Sequence, residues 1–155
     1  MKKVLPFVIA ALMIPGVALA KGPNPNKGTH SNQRGKARVM YVLKGLLYSY
    51  TPYVAATDTT AAQEGSIQIV VLHSNRHGKL LRSDPDNNPL YVTIDVGQKT
   101  KIRLKNGVTS IADGDRGAIR VRASRLAFKS ATQDDVVAAL ANQPAHMVAD
   151  WGPAG

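Results

Sequence analysis

The sequence predicts a mainly β domain: a small antiparallel barrel of six or seven short strands, with one C-terminal α-helix followed by a closing strand. Three observations carry this. Apolar and polar residues alternate with period two in most segments after Arg38. Turn chemistry recurs between those segments, at Thr51-Pro52, Asp84 to Pro89, Asn106-Gly107 and Asp113 to Gly117. A helical stripe occurs once, near the C-terminus, so the βαβ rhythm of a parallel sheet is missing. A barrel is preferred to a sandwich because closure leaves short strands fewer open edges.

Residues 1–20 read as a cleavable signal peptide. Lys2 and Lys3 form the basic start, Val4 to Ile14 form an apolar run interrupted by Pro6, and Ala18-Leu19-Ala20 is the small-x-small cleavage pattern. The run is shorter than the roughly 20 apolar residues a spanning helix needs, and Pro15 breaks it. Cleavage after Ala20 gives a secreted or extracytoplasmic chain with no membrane span. Residues 21–37 (KGPNPNKGTHSNQRGKA) are polar, contain no acid and bury too little to offset ordering, so they read as a flexible basic tail. Residues 38–155 form the single domain.

The whole chain carries +10. Removing the two leader lysines leaves +8, a balance that favours anionic partners or surfaces. There are no cysteines. Disulfides, thiolate metal sites, cysteine nucleophiles and thiol redox chemistry are thereby excluded.

Val39 to Tyr50 is rich in β-branched, aromatic and aliphatic residues and reads as a long strand, weakened at Gly45. Residues 54–64 are a loop. Ile67 to Leu72 is apolar enough for a strand covered on nearly both faces. His73 to Gly78 reads as a turn, and Lys79 to Arg82 as a short strand continuation. Leu90 to Val96 is the next strand, with Leu90, Val92, Ile94 and Val96 on one face. Asn106-Gly107 predicts a two-residue hairpin loop, because both positions favour positive φ. Lys105 then faces Val108, Leu104 faces Thr109 and Ile102 faces Ile111, which puts Ile102, Leu104 and Ile111 on one side and Lys101, Arg103 and Lys105 on the other. Ala118 to Ala123 alternates, with Ile119 and Val121 inward and Arg120 and Arg122 outward. Thr132 is a good N-cap for a helix over about 132–142, Asp134 and Asp135 suit its first turn, and Ala131 and Val136 are placed as a staple. Val136, Val137, Leu140 and Ala141 form its apolar stripe, and Pro144 ends it. Ala145 to Trp151 closes the domain, with Met147, Ala149 and Trp151 on one face.

The succession Thr100-Lys-Ile-Arg-Leu, Ile111-Ala-Asp-Gly-Asp and Ala118-Ile-Arg-Val-Arg-Ala123 resembles exported bacterial small-barrel proteins of uncharacterised function. The resemblance covers residues 38–125 and implies an OB-like barrel, the fold of oligonucleotide- and oligosaccharide-binding domains. It implies no activity and carries over no site.

Lys99, Lys101, Arg103 and Lys105 share one strand face, and Arg120 and Arg122 share another. Were the two strands neighbours, six cations would line one outer surface, and a counter-anion would relieve their repulsion. The plainer reading is a solvated face whose cations discourage edge association. Tyr48 and Tyr50 alternate along the first strand, either as a stacking platform or as core closure at a barrel end. His73 and His77 have metal-ligand spacing only on a helix, and this segment reads as a turn. Asp84, Asp86, Asn88 and Asp95 match positions of a calcium loop, yet Pro89 stands where glycine is needed. Asp113 and Asp115 offer too few further ligands. No G-x-S-x-G elbow, glycine-rich phosphate loop or acid pair is present. No catalytic residue, metal or cofactor is expected. The leading expectation is a non-enzymatic binder of an anionic polymer, nucleic acid or acidic cell-envelope polysaccharide, acting through the basic face. The alternatives are an interaction domain with an envelope protein partner and an enzyme with an unrecognised site.

Overall fold

A computed structural model describes residues 37–105, 107–127 and 129–154. The segments expected as a signal peptide and a basic tail lie outside the described residues, except for Ala37, whose carbonyl accepts the Arg125 N–H (2.7 Å). The described chain is mainly β, with six strands in one sheet and one C-terminal helix. The strands are β1 (Arg38–Thr51), β2 (Gly65–Ser74), β3 (Tyr91–Val96), β4 (Lys101–Leu104), β5 (Asp115–Ser124) and β6 (Ala145–Pro153). Helix α1 (Gln133–Leu140) packs against β5 and against a 3-10 segment, Arg76–Leu81.

The sheet order is β3-β2-β1-β5-β6-β4. Every pairing is antiparallel except β4 with β6, which is parallel. The expected arrangement is antiparallel throughout, and the β4–β6 pair departs from it; β3 and β4 are two ends of a ladder that does not close. A single parallel bridge, Asp95 to Pro144, links the end of β3 to the residue before β6.

β1 is shared by both halves of the sheet. Arg38 to Leu46 pair with β5, and Leu43 to Thr51 pair with β2. Its odd residues Tyr41, Leu43 and Leu47 point inward with Ile69, Ile94 and Ile119, and Val136 and Leu140 of α1 join that core. Gly45 lies where both neighbours press on β1. A Cβ there would sit 1.8 Å from the Val70 carbonyl oxygen. Opposite it, a Cβ on Gly117 would sit 2.5 Å from the Ala149 carbonyl oxygen. The glycine read as a weak point in the strand is therefore what lets the backbones approach.

Two local expectations change. The Lys99–Ile111 hairpin does not form. Gly107 has φ +89° and the Val108 N–H reaches the Lys105 carbonyl (2.9 Å), so the chain does turn there. But β4 pairs with β6, and residues 108–111 form no strand. Ile111 packs on the core while Ile102 and Leu104 stay 37% exposed. Lys79 to Arg82 is no strand continuation: Arg76–Leu81 is a 3-10 helix that buries Leu81. In β6 Val148 is fully buried, and the face expected to carry Met147, Ala149 and Trp151 together is the outer one.

The helix begins as its sequence requires. The Thr132 hydroxyl accepts the Asp135 N–H (3.2 Å), and the Asp135 carboxylate accepts the Thr132 N–H (2.8 Å), a reciprocal cap. These bonds to Thr132 hold the Asp135 carboxyl below its ordinary range. The helix ends at Leu140, two residues short of the expected boundary.

Gly45→Ala is expected to destabilise the domain by at least about 3 kcal/mol, because the new methyl meets backbone that cannot rotate away. Urea unfolding of the variant beside Gly107→Ala checks this. A Cβ at Gly107 meets nothing within 4 Å, so that change costs only the strain of its positive φ.

Candidate functional site: a basic trough on the outer face

Residues directly opposed across a sheet share a face. Register therefore assembles the outer surface without further assumption. One row runs Lys44 (β1), Ala118 (β5), Ala149 (β6), Arg103 (β4). The next runs Val42, Arg120, Met147, Lys101 across the same strands. His73 of β2 extends the first row beyond Lys44. Four cations thus face outward over a floor of alanine, valine and methionine.

This surface is a trough of about 390 Å³. Lys44, Arg103, Lys105 and Arg120 rim it, Ala118 and Ala149 form its floor, and Trp151 stands at one end. At about 4.8 Å per strand, Lys44 and Arg103 stand about 14 Å apart across the floor. The alanines are almost fully covered despite facing outward, as expected where long cationic side chains lay their methylene stems over small neighbours. Trp151 is 44% exposed. A further hollow of about 350 Å³ continues past Trp151 to His73 and Arg116.

The sequence-derived cations divide into two groups. Lys101, Arg103, Lys105 and Arg120 come together on the trough or its adjoining row. Lys99 and Arg122 instead line a separate hollow of about 360 Å³ with Arg38, Glu64 and His146. The strands carrying the six cations are not neighbours, since β6 lies between them. Sequence reasoning missed Lys44 and Trp151. The one signal for Lys44 was a lone charge inside an apolar strand, alternating with buried Leu43. Trp151 had been placed on one face with Met147 and Ala149, with no partner strand assigned. Tyr48 and Tyr50 do not form one platform. Tyr48 meets Tyr91 edge to face, with centroids 5.3 Å apart. Ser49 has φ +49°, and Tyr50 beyond it packs on the core, where burial raises its phenol pKa. His73 sits on β2 while His77 lies in the 3-10 segment against Tyr41. Among the described residues no three His, Asp or Glu side chains converge as metal ligands.

One acid borders the trough, and it is hidden. Asp150 is 1% exposed, and Asp115 beside it is 7% exposed. Asp115 Oδ2 accepts the Ala112 N–H (3.0 Å), and Asp150 Oδ1 accepts the Gly152 N–H (2.7 Å). Asp150 Oδ2 is buried and meets no N–H or O–H donor among the described residues. Burial pushes the Asp150 carboxyl up, and the charge of Asp115 with its side-chain hydrogen bond pushes the same way, against the Gly152 N–H.

A carboxyl raised in the folded state holds a proton that the unfolded chain releases. Its stabilising contribution is complete below the ordinary aspartate range and is lost as pH rises through the raised value. Asp150→Asn cannot titrate yet still donates toward Asp115, so it should flatten that decline. Urea midpoints of the two proteins from about pH 4 to 8 check this, and parallel pH profiles would remove Asp150 as the cause.

No family model matches the chain, and no curated protein or solved structure matches it, so the site is read from its own geometry.

Proposed function

We propose that this chain is an exported, non-enzymatic β domain that binds an anionic polymer along the trough formed by β1, β5, β6 and β4. The observation that carries this is the pair of register rows that puts Lys44, Lys101, Arg103 and Arg120 on one face over an apolar floor. Cations supply affinity for phosphate, sulfate or carboxylate groups, and release of counterions makes such binding strongly salt-dependent. Trp151 offers a ring for a base or sugar to stack on. A floor of small residues lets the backbone of a linear polymer lie close to the sheet.

We also read the fold as an OB-like barrel in which β3 and β4 act as one interrupted strand. β3 pairs with β2, β4 pairs with β6, and the turn at residues 97–100 separates them. The Asp95–Pro144 bridge supports this, because it brings the end of β3 against the start of β6, the strand that β4 pairs with.

Binding of single-stranded DNA and of heparin to the full chain, titrated with salt, tests the function. Tight binding that weakens steeply with salt is expected, and the ratio of the two affinities gives the polymer class. Lys44→Glu with Arg120→Glu should weaken binding and reduce the slope of log K against log salt for single-stranded DNA by about 1.4, two contacts at about 0.7 each. Trp151→Ala should cost about 1–3 kcal/mol through lost stacking. Absence of binding at low salt would leave the charge as a solubility feature.

A further inference from the structure

Beyond the face of β4, its edge is open. Lys105 donates its N–H to the Asp150 carbonyl (2.9 Å). In a parallel pair, alternate residues turn their backbone groups to opposite sides. Lys101 and Arg103 therefore turn theirs to β6, as Lys105 does its N–H, and Ile102 and Leu104 turn N–H and C=O away from it. β4 is the last strand of the ladder on that side, and no backbone hydrogen bond to Ile102 or Leu104 from that side is found among the described residues. Both side chains are 37% exposed. An edge with free backbone groups and exposed aliphatic residues is a template for another strand.

Charge decides what fits. A second copy pairing edge to edge would set Lys101, Arg103 and Lys105 against their own kind, and opposed like charges repel. Residues 21–36 of this chain are no better: they contain no acid and carry Pro23 and Pro25, which cannot donate to a ladder. We propose that β4 accepts an extended segment of a partner protein in which acidic and aliphatic residues alternate. Its acids lie over Lys101, Arg103 and Lys105, its aliphatic residues lie over Ile102 and Leu104, and its backbone completes the open ladder. This goes beyond polymer binding on the trough, because it depends on backbone groups that the trough does not use.

The probe is an acetylated ten-residue peptide alternating Glu and Val, titrated against the full chain. One control carries the same residues in two blocks, and another has alternate backbone nitrogens methylated. Ile102→Pro removes only an outward N–H, and proline is tolerated on an edge at such a position. The alternating peptide is expected to bind, and methylation and Ile102→Pro are each expected to weaken it at least about tenfold, the cost of one unmatched hydrogen bond. The same variant should bind heparin as the unaltered chain does. No binding, equal binding of the block or methylated peptide, or peptide binding unaffected by Ile102→Pro would overturn the proposal. Methylation acts on the ligand, so this holds even where the variant fails to fold. Peptide binding without heparin binding would uphold the edge and sink the trough, and the reverse would do the opposite.

Discussion

Two glycines facing each other across β1 and β5 set the conditions for the rest of the sheet. Gly45 and Gly117 are directly paired, and each has a carbonyl oxygen within 2.5 Å of where its Cβ would be. β1 must carry β2 on one edge and β5 on the other along the same four residues, Leu43 to Leu46. Ordinary side chains at the crossing would hold the backbones apart. The approach keeps the odd residues of β1 inward on both sides of Gly45, and so keeps Val42 and Lys44 outward. Were that alternation lost at Gly45, a one-residue slip would carry Lys44 to the core side. The trough thus depends on two residues that contribute nothing to its lining.

Insertion of β6 between the cationic strands changes the electrostatics. Opposed cations on neighbouring strands would repel at about 5 Å. Here Met147 separates Arg120 from Lys101, and Ala118 and Ala149 separate Lys44 from Arg103. Across the wider gap the spacing exceeds the Debye length of about 8 Å at physiological salt. The face therefore carries less cross-strand repulsion than a ladder of directly opposed cations. A polymer with closely spaced charges still meets all four cations along one path. Such a face can wait without a ligand, which a tightly packed cationic ladder could not do as easily.

Much of the fold was legible because its signals are local. Period-two alternation located β1, β2, β3 and β5, and the Thr132 cap located α1. Ile119 and Val121 were correctly placed inward, with Arg120 and Arg122 outward. The failures are non-local. Asn106-Gly107 is strong hairpin chemistry and the chain does turn there, but β4 pairs with β6 and not with the residues that follow the turn. Nothing within residues 99–111 announces that competitor, which lies about forty residues downstream. The same long-range register decides which cations meet. Lys101, Arg103, Lys105 and Arg120 were identified from their strands, while Lys44 and Trp151 join them only through pairings that no local pattern contains. Buried Asp115 and Asp150 escaped for a related reason, since one looked like a turn residue and the other like a polar interruption of a strand.

β4 shows how a four-residue strand serves two surfaces without conflict. Its odd residues give their backbone groups to β6 and their charges to the trough. Its even residues give their side chains to the opposite face and their backbone groups to the open edge. Lysine and arginine usually protect an edge by making association unfavourable. That protection depends on sign: it repels copies of this chain and does nothing against an acidic strand. Charge on the odd residues therefore selects what reaches the edge, and the even residues determine how firmly it is held. Since the two sets do not overlap, alteration of the even residues leaves the charge of the trough in place.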